Sequence, residues 1–337
     1  MSLLVLTESE IRPLISMTEA IAAMEQAFTA LARGDAQLPD VIGLQIPEVD
    51  GEVHVKGAHY KGLEYVVLKV ATGFWQNPAL GLPSGSGLMI ALDAVTGFPA
   101  ALLQDNGYLT DLRTGAAGGV AARYLANPVL DKVTVFGSGT QARFQLRSVA
   151  AVRQLRGRVA VWSRNPIHAD RFAREMTAEL DLDVTVAPSV EAALLQTDLV
   201  ITATPSRQPL FPAAWLPRGV HITAVGSDSP EKQELEVQVF SRAEIIIADH
   251  LRQCLRLGEI HHAVEAGLIS DDDVTGELGD LILGRIPGRT SKTQITLCDL
   301  TGVGVQDAAI ACLALGKARA LGLGTTLPSL TGGACVN

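Results

Sequence analysis

The chain lacks a basic run. Its 27 Lys and Arg are scattered among 36 Asp and Glu, for a formal net charge of −9 over 337 residues. A nucleic-acid surface needs clustered positive charge, so that class of partner is excluded, and a small anionic substrate would need cations placed locally for it. Cysteine is scarce: Cys254, Cys298, Cys312 and Cys335 show neither paired spacing nor a C-x-x-C. That argues against a disulfide frame or a zinc site and suits a reducing compartment. No apolar run approaches membrane-spanning length, and the start, Met1-Ser-Leu-Leu-Val-Leu-Thr-Glu-Ser-Glu10, carries acids rather than a basic leader. The expectation is a soluble, cytoplasmic protein with no nucleic-acid, membrane or metal partner. Internal repeats and low-complexity segments are also missing.

What is present is enough length and apolar content, 47%, for about two cores. Ser16-x-x-Glu19 is a capping box, and Ile21, Met24, Phe28 and Leu31 follow at helical spacing until Gly34. From Val41 to Val70 short β-branched or alternating runs, Glu52-Val-His-Val-Lys56 and Tyr65-Val-Val-Leu-Lys-Val70, predict antiparallel sheet broken by Gly51, Gly57 and Gly62. Gly87–Leu92, a turn at Asp93–Gly97 and Pro99–Leu103 continue it, so the first hundred residues read as an α+β unit. After Thr110 helix and strand alternate, beginning with a small-residue helix from Thr114 to Leu125 that stops at Asn127-Pro128. Later short apolar runs, Asp183–Val186, Leu199–Thr202, His221–Val225 and Glu244–Ala248, fit a parallel sheet covered on both faces. An alanine-rich last helix, Val305 to Leu321, is long enough to reach back to the first unit.

Val133-Thr-Val-Phe-Gly-Ser-Gly-Thr-Gln-Ala142 reads as strand, tight turn and helix start, and a second strand, Arg158-Val-Ala-Val-Trp162, follows about twenty residues on. This is either a dinucleotide pyrophosphate cradle or a plain strand-to-helix turn, and the βαβ context favours the cradle. An acid at the end of the second strand would select NAD. Here the chain has Ser163-Arg164-Asn165, whose hydroxyl and guanidinium suit a 2′-phosphate unless Arg164 is merely a solvated loop residue. NADP(H) is therefore favoured over NAD(H).

Lys69 lies on an otherwise apolar strand and Arg113 directly before a small-residue helix. A buried cation costs several kcal/mol unless paired. Either a bound carboxylate is clamped by both, or each meets a protein acid such as Asp111 or Glu64. Thr114, at the expected helix start, would add a hydroxyl and free N–H groups for an anion. Asp228, in Gly226-Ser-Asp-Ser-Pro230 after the strand ending at Val225, falls at the carboxyl edge of the sheet. It is either a proton-transfer group for a substrate nitrogen or the N-cap of a short helix. His261-His262, on a polar helical stretch, and Asp271-Asp-Asp273, an acidic first turn after Ser270, read as structural or solvated.

These residues resemble the ornithine cyclodeaminase and mu-crystallin family over nearly the whole chain. The segments that carry the likeness are Gly107-Tyr-Leu-Thr-Asp-Leu-Arg-Thr-Gly-Ala-Ala117, Ala122-Arg-Tyr-Leu-Ala126, Gly137–Ala142, Thr204-Pro-Ser206, Gly226-Ser-Asp-Ser-Pro-Glu-Lys-Gln-Glu-Leu235 and Thr301-Gly-Val-Gly-Val-Gln-Asp307. The resemblance implies an α/β fold, with a Rossmann NAD(P)-binding domain (114–307) inserted in an α+β substrate and dimerisation domain (1–113 plus 308–337), assembled as a homodimer. It implies that Lys69 and Arg113 hold a substrate carboxylate and that Asp228 is the catalytic acid/base, with Lys69 beside it as the second catalytic candidate. It also implies cofactor contacts from Thr114, Gly137, Ser138, Gly139, Thr140, Gln141, Ser163, Arg164, Thr204, Val225 and Gly302. One position departs: where relatives carry an arginine before Lys69, this chain has His54, with Lys56 two residues on and on the same strand face. Lys56 would replace that contact or serve a second acidic group on the substrate. Thr114–Gly119 and Thr204–Arg207 look like the archaeal alanine dehydrogenase branch, whereas Val55–His59 and Thr72–Pro78 look like the branch found with ectoine breakdown.

The leading reading is an amino acid dehydrogenase or imine reductase that moves hydride between nicotinamide and the α-carbon of a small α-amino or α-imino acid. The alternatives are an ornithine-type cyclodeaminating lyase that recycles its cofactor, and a non-catalytic NADP(H)-dependent binder of small molecules.

Overall fold

The structure is a computed structural model that describes residues 2–328, so Cys335 lies outside the described residues. The chain forms two compact units, one running to Arg113 and resuming at Gly304, the other Thr114–Val303.

In the first unit the capping box forms as the sequence predicts. The Ser16 hydroxyl accepts from the Glu19 N–H at 3.3 Å and the Glu19 carboxylate accepts from the Ser16 N–H at 2.9 Å. The helix Met17–Ala32 that follows buries Ile21, Met24 and Phe28 completely, each burial contributing about 1.5–3 kcal/mol. Its sheet runs Thr325–Pro328, Ser2–Thr7, Pro99–Gln104, Gly85–Asp93, Tyr65–Phe74, Gly51–Tyr60 and Ala36–Gln37, with Ile42–Ile46 also paired to Gly51–Tyr60. All neighbours are antiparallel except Ser2–Thr7 with Pro99–Gln104. Gly51 and Gly57 do not break the sheet, contrary to the sequence expectation; both lie inside the Gly51–Tyr60 strand. The helix Gly304–Leu321 packs across this strand, and a Cβ at Gly304 would come within 2.7 Å of the Gly57 carbonyl oxygen. The missing side chain is what lets the helix approach.

The helix expected to begin at Thr114 instead spans Tyr108–Leu125. Asp105 starts it: its carboxylate accepts from the Leu109 N–H at 2.8 Å and its carbonyl from the Tyr108 N–H at 3.0 Å. Arg113 and Thr114 are thus helix-interior residues, and Thr114 has no helix-start N–H groups to offer an anion.

The second unit is a fully parallel sheet in the order Asp183–Val186, Gln154–Trp162, Val129–Phe136, Leu199–Thr202, His221–Ala224, Thr296–Asp299, Ile245–Ala248, Gly276–Glu277. Numbered along the chain, the first five strands run third, second, first, fourth, fifth. The order reverses between Val129–Phe136 and Leu199–Thr202, the switch point at which ligands bind in open α/β sheets. Val133, Val135, Val159, Val161 and Ile201 form one buried layer with Ala142, Leu146 and Phe172 from two covering helices. A second buried layer joins Phe136, Val200, Ile222, Ile246 and Leu297 on the other side. Covered on both faces, these strands read as continuous apolar runs.

Candidate active site

The glycine turn opens the switch-point crevice. Gly137 follows Phe136 at φ +109°, and a Cβ there would come within 2.4 Å of the Ala203 carbonyl oxygen, so only glycine fits. Gly139 is the N-cap of the helix Thr140–Val152, has no side-chain cap and faces open space. A helix start without a side-chain cap suits a phosphate at the positive end of the helix. A cleft of about 190 Å³ lies here, lined by Gly137, Ser138, Gly139, Ser163, Arg164, Thr204 and their neighbours. The Ser138 and Ser163 hydroxyls meet at 3.1 Å, and Arg164 is exposed beside them. The glycine cradle, the uncapped helix start and the crevice fit the pyrophosphate and adenosine half of a nicotinamide dinucleotide.

The other loops at this edge are held by buried carboxylates that the sequence reading missed. Glu234 accepts from the Thr204 N–H at 2.6 Å, the Thr204 hydroxyl at 2.7 Å and the Gly226 N–H at 2.8 Å, tying the loops after two adjacent strands together. Glu259 accepts from the N–H groups of Glu234 and Leu235, and Asp299 from those of Glu259 and Ile260. Asp249 accepts from the N–H groups of Thr301 and Gly302 at 2.8 and 2.7 Å. Burial is the main cause that raises all four carboxyls above their ordinary range, Asp299 to about 8. For Asp249 and Asp299 the sequence signal is an acid closing an apolar run, Ile245-Ile-Ile-Ala-Asp249 and Thr296-Leu-Cys-Asp299; Glu234 and Glu259 sit among polar residues and carry none.

Of the cofactor candidates, Val225 donates its N–H to the Thr202 carbonyl and Gly302 sits at φ +81° on Asp249. Thr140 is exposed, Gln141 half-buried, and Thr114 accepts from Gln145 through its carbonyl at 2.9 Å. Asp228 lies four residues beyond the strand His221–Ala224, exposed, with its carboxylate 2.6 Å from the Lys232 amine. No helix begins after it, so the N-cap alternative is withdrawn.

In the first unit Lys69 and Arg113 are buried, 3% and 4% exposed, and the structure brings them together on one acid. Lys69 Nζ is 3.1 Å from Asp307 Oδ2, and Arg113 Nε donates to Asp307 Oδ1 at 2.8 Å. Arg113 also donates to the Gln306 side-chain oxygen at 3.3 Å. Asp307 lies in the first turn of the last helix, and its signal in the sequence is an acid among Gly304, Val305, Ala308 and Ala309. Burial pulls the Lys69 pKa down to about 7; Asp307 opposes this, and Arg113 and Lys56 add to it. For Asp307, burial pushes upward but Arg113 and Lys69 outweigh it, leaving the carboxyl below its ordinary value. Lys56 stands directly opposite Lys69 in the strand register, so both project from one sheet face. His54, two residues earlier on that face, has its ring 3.3 Å from Glu52.

Residues 1–320 match the ornithine cyclodeaminase/mu-crystallin family. An alanine dehydrogenase of Archaeoglobus fulgidus is 38% identical, with 97% of this chain and 98% of that protein covered. The structure of Thermococcus litoralis Δ1-pyrroline-2-carboxylate reductase with NADH and L-proline is 32% identical, with a TM-score of 0.91 over 96% of this chain and 99% of that one. The iminosuccinate reductase of Paracoccus denitrificans in complex with NAD+ is 31% identical, with a TM-score of 0.90 over 98% and 100% of the two chains. The chain belongs to the ornithine cyclodeaminase/mu-crystallin family.

Proposed function

We propose that the protein is an NAD(P)-dependent oxidoreductase acting between the α-carbon of a small α-amino or α-imino acid and a nicotinamide. The observation that carries the reading is the sharing of one carboxylate, Asp307, by two buried cations, Lys69 and Arg113. Such an arrangement suits an incoming substrate carboxylate, which would balance the charge left over and fix the α-carbon in place. The named relatives support it, since all three are called dehydrogenases or reductases of amino or imino acids.

The nicotinamide, when bound, supplies or accepts hydride. The residues of the chain do the rest. Gly137, Ser138, Gly139, Thr140 and Gln141 would hold the pyrophosphate, with Thr204, Val225 and Gly302 bordering the remainder of the cofactor. Thr114 stays a candidate through its side chain, although not through helix-start N–H groups. Ser163 and Arg164, in place of an acid, favour a 2′-phosphate and so NADP(H). Asp228 would give a proton to the imine nitrogen in reduction, since positive charge there makes the carbon a better hydride acceptor, and would take it back in oxidation. His54 and Lys56 would meet the substrate beyond its α-carboxylate. The three cysteines among the described residues are free thiols, which suits a cytoplasmic location.

The test is Asp228→Asn assayed for turnover and titrated with NADPH and NADH. Turnover should fall by at least about 100-fold, the scale of a lost acid/base group, with cofactor affinity unchanged. Wild-type turnover in the variant would remove Asp228 from the mechanism.

A further inference from the structure

The helix Gly258–Glu265 carries a donor cluster of which no member lines the dinucleotide cleft. The rings of His261 and His262 lie with centroids 3.8 Å apart, and one nitrogen of each ring and a carboxylate oxygen of Glu265 all fall within 4.8 Å of one another. Of the two alternatives for the pair, structural or solvated, burial of His261 takes the structural one; His262 is half-buried and Glu265 exposed.

Both imidazoles are already oriented. His261 Nδ1 lies 2.7 Å from the Gly258 carbonyl oxygen and His262 Nε2 lies 2.7 Å from the Lys232 carbonyl oxygen. A carbonyl only accepts, so these two nitrogens are the ones that carry hydrogen, and in a neutral ring the other nitrogen keeps its lone pair. Metal-binding histidines are held in this way, with the far ring N–H on a backbone carbonyl.

We propose that His261, His262 and Glu265 bind a divalent transition metal of the Zn2+ type, with water completing the coordination. Two imidazoles and one carboxylate match zinc or nickel, whereas magnesium and calcium select oxygen donors alone. Donors about 2.0–2.1 Å from a tetrahedral ion stand roughly 3.4 Å apart, so the cluster closes by about an ångström on binding. The exposed Glu265 side chain is the group able to make that movement. Because His262 holds the Lys232 carbonyl and the Lys232 amine pairs with Asp228, the ion would also stiffen the segment that carries Asp228.

The experiment is isothermal calorimetry on tag-free, EDTA-treated full-length protein titrated with ZnCl2, then NiCl2 and MgCl2. One zinc per chain is expected, with affinity weakened at least about 10- to 100-fold in His262→Ala and in Glu265→Gln, and no response to MgCl2. Glu265 is exposed, so its variant keeps the fold even if His262→Ala does not. Absence of zinc and nickel binding, or a Glu265→Gln variant that binds as tightly as the wild type, would overturn the proposal.

Discussion

At the residue scale, the two cations of the first unit differ in a way that pH can reveal. A guanidinium as a chemical class stays charged across the working range, whereas burial brings the Lys69 pKa down to about 7. Below that value Lys69 is charged and can bind a carboxylate; above it the charge is lost, and binding must take up a proton to restore it. If Lys69 holds the substrate, KM should rise with pH above about 7, toward tenfold per unit, while kcat changes less. Lys69→Arg should flatten that rise. Michaelis profiles from about pH 6 to pH 9 check it, and a wild-type KM that stays level across the range counts against Lys69 as the carboxylate anchor. The need for an acid beside these cations was legible from burial cost. Which acid answers it was not, because Asp307 is 238 and 194 positions away along the chain and only the fold brings it near.

At the element scale, the strand and helix of the glycine turn, the four later strands named from their apolar runs, and the capping box were readable because each is a local pattern with its own punctuation. Several strands were not, Thr296–Asp299 and Ser2–Thr7 among them. Thr296–Asp299 lies in the middle of the parallel sheet, between His221–Ala224 and Ile245–Ala248, but its four residues end in an acid that belongs to the buried network. Ser2–Thr7 pairs with strands about a hundred and three hundred residues away, which no short window reveals. The helix start at Tyr108 was hidden because Asp105 caps it from before a positive-φ glycine, Gly107. The buried acids give the second unit a pH dependence of its own. Asp299 has a folded pKa near 8 against an ordinary value of 3.8, so the folded state holds more protons than the unfolded one between those values. Stability from this group is full below about pH 4 and is lost as pH rises through about 8. Its Oδ2 accepts both N–H bonds, and its Oδ1 has no hydrogen-bond partner. Asp299→Asn should therefore keep both bonds and melt higher than the wild type above about pH 8, with the gap closing toward pH 6. Equal thermal shifts at both ends of a melting series would show that Asp299 does not titrate in this way.

At the scale of the whole molecule, no helix among the described residues is long and apolar enough to cross a membrane. The first unit nonetheless exposes large apolar side chains close together in sequence: Ile42 and Leu44 on the strand Ile42–Ile46, and Trp75, Leu80 and Leu82 just after Tyr65–Phe74. Ile42 is 60% and Leu80 75% exposed. If this surface pairs two copies of the chain, light scattering gives twice the 35.5 kDa chain mass for the wild type and a lower mass for Leu44→Glu. Net hydride transfer to an imino acid carbon shows directly in the nicotinamide absorbance. Purified protein would be mixed with NADPH or NADH and with pyruvate plus ammonia or methylamine, or with cyclic imino acids. Stoichiometric cofactor oxidation is expected, faster with NADPH; ammonia released from ornithine or another diamino acid with no net change in cofactor would instead establish a cyclodeaminase.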